Sequence, residues 1–114
     1  MMEHHITAER IANILMGKSK DFVQKRMFGG DCFMVDNKML VGTYKGGIMA
    51  RVGVEAAELL VKQPATLQMT LAGKPMKGYL FIEPEGYEND SALEFWIEKC
   101  LAFNPKAKAS AKKK

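Results

Sequence analysis

Residues 32–52 read CFMVDNKMLVGTYKGGIMARV. Three largely apolar runs are separated by two turn signals. Asp36-Asn37 divides Cys32–Val35 from Lys38–Tyr44, and both residue types tolerate the left-handed backbone of a tight turn. Lys45-Gly46-Gly47 then divides Lys38–Tyr44 from Ile48–Val52. Strands joined by so few residues must lie antiparallel, because a parallel crossover needs about a dozen residues or more. A doubly wound parallel sheet is therefore excluded, and an antiparallel meander is predicted.

The flanking segments carry their own signals. Upstream, Thr7 is placed to cap a helix whose Ile11, Ile14 and Leu15 recur at core-facing spacing, with Gly17 as its stop. Phe22 to Phe28 alternates as a strand does. Gly29-Gly30 interrupts it as a turn, a bulge or a close backbone approach would, so one strand or two remain open there. Downstream, Glu55 to Val61 reads as a short helix with Ala56, Leu59 and Leu60 available to pack, ended by Pro64. Leu67 to Leu71 alternates, Gly73-Lys74-Pro75 turns, and Gly78 to Glu83 is the strongest strand. Ser91 with Glu94 forms a capping box next to Asp90. It opens a helix with the stripe Leu93, Trp96, Ile97, Cys100 and Leu101, stopped by Asn104-Pro105. The expectation is a two-layer α+β domain over residues 1–105, in the order α-β-β-β-α-β-β-α. Its antiparallel sheet has about five strands, with helices on one face.

The chain has 114 residues, 47% hydrophobic and 26% charged, and a net charge of +4. That length fits one domain, and the composition excludes collagen-like, coiled-coil and wholly disordered classes. The first dozen residues lack an apolar signal segment, and no apolar run approaches the roughly 18–20 residues of a membrane span. A soluble, cytoplasmic protein without membrane attachment is expected. The charge is unevenly placed: residues 106–114 hold five lysines and no acid, which leaves residues 1–105 at −1. The basic character belongs to a flexible Lys/Ala tail.

Few residues stand in patterns that carry chemistry. Cys32 and Cys100, 68 positions apart, read as reduced structural thiols. His4-His5 precedes the expected first helix and has no partners at metal-ligand spacing. A Cys–His nucleophile pair lacks an ordered base. Glu83, Glu85, Glu88 and Asp90 read as solvated carboxylates, and neither Gly-Gly pair sits in a phosphate-loop pattern. Met27, Met34, Met39, Met49 and Met69 fall on strands as core filler. No catalytic group, cofactor or metal is expected, and the chain is not read as an enzyme. The alternative is a nucleic-acid module contacting phosphates through Lys25, Arg26 and Arg51 together with Lys106, Lys108, Lys112, Lys113 and Lys114. Five tail lysines would give a log–log salt slope of at most about −4.5.

Lys25-Arg26-Met27-Phe28-Gly29-Gly30, followed by Phe33, Val35-Asp36 and Lys38-Met39, resembles the hallmark segment of the TfoX/Sxy N-terminal domain family. Ile48 to Val52, with its Arg51, is similar to a strand of that family. Met76-Lys77-Gly78-Tyr79-Leu80 is similar to its Lys-Gly-Tyr strand, and Trp96 sits where its last helix usually has tryptophan. The resemblance covers roughly residues 5–105. It implies an antiparallel α+β domain and a non-enzymatic bacterial regulator of DNA-transformation competence, partnered with the transcription machinery. It also implies mainly structural roles for Arg26, Met27, Phe28, Gly29, Gly30, Gly78, Tyr79 and Trp96, with Phe28 in the core. Two positions depart from the family: Cys32 stands where it often has glycine, and Asn37 where it has a turn glycine. The full-length regulators also carry a second, helical domain, whereas this chain ends on the lysine tail.

Overall fold

Three two-residue turns set the architecture. Asp36-Asn37 (φ 55 and 63), Lys45-Gly46 (45 and 85) and Ala72-Gly73 (54 and 80) each have left-handed backbone at both positions. That is the turn whose twist matches a pair of antiparallel strands. The computed structural model describes residues 2–27 and 29–107, with residues 2–4 described by backbone alone. Helix α1 (Met2–Gly17) precedes strands β1 (Val23–Met27), β2 (Gly30–Val35), β3 (Lys38–Tyr44) and β4 (Gly47–Arg51). Helix α2 (Val54–Leu60), strands β5 (Thr66–Leu71) and β6 (Lys74–Ile82), a 3-10 turn and helix α3 (Asp90–Phe103) follow.

The α+β class and the antiparallel sheet are as expected, but the sheet has six strands, in the order β1-β2-β3-β4-β6-β5. The sixth arises at the Gly-Gly break. Met27 pairs with Gly30 across Gly29 (φ 78), so β1 and β2 are separate strands of a hairpin. A Cβ at Gly30 would lie 2.2 Å from the Thr43 carbonyl oxygen, so only glycine lets β2 approach β3 there.

Register carries the alternation across the whole sheet. Phe33, Val41, Ala50, Leu80 and Gln68 are successive partners in one cross-strand row. The first four are fully buried in the core shared with the helices. The row one residue along runs Lys25, Cys32, Gly42, Met49, Phe81, Leu67 and belongs to the opposite face. A bulge at Phe33/Met34 lets the consecutive Leu40 and Val41 both join the helix-side core.

Each helix buries one stripe against that core: Ala8, Ile11 and Leu15 from α1, Ala57 and Leu60 from α2, and Leu93, Trp96, Ile97 and Cys100 from α3. Several local expectations shift. α1 begins at Met2, so Thr7 and His4-His5 lie within it; no breaker in that stretch stops the helix earlier. α2 turns Ala57 inward and leaves Leu59 71% exposed. α3 is capped by Asn89, whose side chain accepts from the Ala92 amide at 2.8 Å. Ser91 therefore lies inside the helix and does not cap it, and Glu94 pairs with Lys18, just past the end of α1, at 2.7 Å. β6 starts at Lys74, because the turn is Ala72-Gly73 and not Gly73-Lys74-Pro75.

Two stability changes follow and are measurable by urea unfolding. Phe33→Ala, at the centre of the helix-side row, is expected to lose about 3–5 kcal/mol. Ala72→Gly relieves a left-handed alanine in a solvent-exposed turn and is expected to gain about 1 kcal/mol.

Candidate functional site

The residues singled out from sequence sort into a structural joint and a set of dispersed cations. At the joint, Gly78 (φ 85) breaks the regular pairing of β6 with β5, and its carbonyl accepts from the Val52 and Gly53 amides at 2.9 and 3.0 Å. A Cβ on Gly78 would press on the Gly53–Val54 backbone at 3.3 Å. The Gln68 amide fills the loosened ladder, donating to the Met69 and Met76 carbonyls at 2.9 and 2.8 Å. Tyr79 lies beside Arg51, whose guanidinium is 5.5 Å from the Tyr79 ring and 5.9 Å from that of Phe103 on α3. Burial raises the Tyr79 hydroxyl pKa, and the Arg51 charge opposes that rise. Arg51 thus ties the end of β4 to β6 and α3.

Trp96 is buried, and its indole N–H donates to the Gly86 carbonyl at 3.2 Å. Arg10 of α1 reaches the same connection: it donates to the Tyr87 carbonyl at 2.8 Å and pairs with Asp90 at 3.0 Å. Lys18 bridges Glu94 and Glu98 at 2.7 and 2.9 Å. Glu94 first, then Glu98, lifts its pKa above the ordinary lysine value.

The strand cations do not converge. Lys25 and Arg26 project to opposite faces, since Lys25 stands opposite Cys32 and Arg26 opposite Asp31. Arg26 lines a groove on the helix side that it shares with His5, Glu9 and Asp31. Arg51 lies three strands away from β1, roughly 14 Å across the sheet. Lys106 is in the short turn after α3. Phe28, Lys108, Lys112, Lys113 and Lys114 lie outside the described residues.

The face without helices is the larger surprise. Cys32, Met34, Met39, Met49 and Met69 form a second buried cluster there, covered by partly buried Met27, Tyr44, Met76, Tyr79 and Phe81. Lys45 stands 5.4 Å over the Tyr44 ring, and that ring meets Phe81 edge-on at 6.2 Å. Beside them a cleft of about 460 Å³ opens toward Leu67, Thr70 and Gly73. Sequence reasoning placed the methionines on strands but did not single out Tyr44, Lys45 or Phe81. The alternation Tyr79, Phe81 against Leu80, Ile82 was the available signal.

Both thiols are free and buried. Burial pushes Cys32 up to about 11, against the pull of Lys25, and Cys100 up to about 12, against a backbone hydrogen bond at Arg51. Among the described residues no three His, Cys, Asp or Glu side chains converge as metal ligands, and no helix is long and apolar enough to cross a membrane.

A family model described as the TfoX N-terminal domain matches residues 15–104. No curated protein and no solved structure matches the chain.

The thiol environments set a pH dependence. Unfolded, each cysteine loses its proton near 9, whereas the folded chain holds it to about 11 or 12. The folded state therefore binds more protons above pH 9, and stability is complete below that value and falls as pH rises past it. Urea unfolding at pH 7.5 and pH 10.5 should show a smaller loss in Cys100→Ala than in the parent. Equal losses would contradict the burial assigned to Cys100.

Proposed function

The chain belongs to the TfoX N-terminal domain family, and from that membership we propose that it is a small, non-enzymatic regulator or adaptor of the cytoplasm. It acts through protein contacts with the transcription machinery of a bacterium, in the control of DNA-uptake genes. The observation that carries this reading is the extent of the family match, from the end of α1 through α3, taking in every strand. The Gly78 joint with Arg51, Tyr79 and Phe103 supports it, because the family-like residues are there engaged in holding strands and helices together. Cys32 and Cys100 support it too, since both are held protonated at neutral pH and so are weak nucleophiles.

Deleting the chain from a naturally transformable bacterium tests the reading. DNA-uptake transcripts and transformant numbers should fall together, and the tagged chain should retain a protein partner from the cytosolic fraction after nuclease treatment. Unchanged transcripts would remove the regulatory role. Partner capture lost with nuclease would replace protein contact with nucleic-acid bridging.

A further inference from the structure

We propose that the helix-free face of the sheet binds single-stranded nucleic acid, with Tyr44 and Phe81 as stacking surfaces and Lys45 and Lys25 as phosphate contacts. The inference goes beyond the adaptor reading and can fail independently of it.

Three observations converge on that face. The first is charge. The six strands contain a single acid, Asp31, and it stands opposite Arg26 on the helix side. The strand positions of the helix-free face therefore carry no carboxylate, while Lys25 stands on that face and Lys45 borders it from the β3–β4 turn. The second is aromatic surface. Tyr44 and Phe81 lie partly exposed at the mouth of the 460 Å³ cleft, whose walls include Leu67, Met69 and Gly73. The third is layout. Lys25 and Phe81 belong to one cross-strand row, four strand spacings apart, so the basic edge and the aromatic cleft are separated by about 19 Å of apolar sheet. That is a path for a few successive nucleotides.

Charge complementarity decides between occupants. A second copy of this chain, seated face to face, would bring the lysines of one copy to a face that offers no strand carboxylate in return, and like charges so placed oppose association. A polyanion meets no such penalty. The rings then decide between forms of nucleic acid, because only an unstacked base can present its flat face to Tyr44 or Phe81. Lys45 over the Tyr44 ring is an exposed cation–π contact, worth roughly 2- to 5-fold. Base stacking on an aromatic side chain is worth roughly 5- to 150-fold per base, so a base can displace the lysine toward a phosphate.

Fluorescence anisotropy of the full chain with a labelled oligothymidylate of roughly 12 nucleotides, at low salt, tests this. Its duplex and heparin serve as base-hidden and base-free polyanions. The single strand should bind tighter than either. Tyr44→Leu with Phe81→Leu, which keeps apolar bulk, should weaken the single strand about tenfold or more and leave the duplex unchanged. Lys45→Gln, at an exposed turn position, tests the same site while leaving both rings in place, and should reduce the salt slope by about 0.7. Equal binding of heparin, duplex and single strand would overturn the proposal and assign binding to the lysine tail. A dimer dispersed by Leu67→Glu would overturn it in favour of a second copy.

Discussion

Left-handed backbone at Asp36-Asn37, Lys45-Gly46 and Ala72-Gly73 locks three hairpins into register, and a slip of one residue at any of them would exchange the faces of the strand it feeds. The exchange would be severe, because the two faces differ so much. One row puts Phe33, Val41, Ala50 and Leu80 beneath the helices; its neighbour puts Lys25, Cys32, Met49 and Phe81 on the bare side. The turns are local, but they determine which side chains reach the core and which stay available for contact.

The helical layer is joined to this sheet by a few polar ties at its margins. Lys18 and Arg10 hold α1 to α3 and to the connection before it. Buried Asn104 donates to the Val35 carbonyl at 3.2 Å, fixing the end of α3 to the β2–β3 turn. Lys38 reaches the Asn104 carbonyl at 3.1 Å from the same turn. These contacts add orientation to a layer whose stability comes chiefly from apolar burial, since exposed ion pairs contribute at most about 1 kcal/mol each. The joint at Gly78 does the corresponding work on the other flank, where one carbonyl receives two amides.

The bare face explains the methionine content. On a sheet face without helices, flexible thioether side chains fill the irregular space left by a twisted, bulged sheet. Met34, Met39, Met49 and Met69 do this from four different strands, with Tyr44, Tyr79 and Phe81 over them. The resulting surface is apolar beneath and cationic at its rim.

The amino-acid order by itself determined the α+β class, the antiparallel meander, the three helices, the family resemblance and the placing of net positive charge in the last nine residues. Each of these rests on local chemistry: turn propensity, capping residues, period-two and period-3.6 alternation. The strand division at Gly29-Gly30 could be read either way, since a glycine pair suits both a bulge and a hairpin, and only the Met27–Gly30 pairing decides it. The candidate site was less legible. Lys25-Arg26 looks like one basic patch in the sequence, yet the pleat sends its halves to opposite faces, and Arg26 ends in a helix-side groove shared with Glu9 and Asp31. Tyr44, Lys45 and Phe81 look unremarkable where they stand, the first and the last 37 positions apart. They meet because β4 pairs with β6 across the intervening α2 and β5, bringing the β3–β4 turn alongside Phe81. Tertiary structure alone decided that meeting, because strand order and register are set by which faces can be buried together, a property of the whole chain and of no single segment.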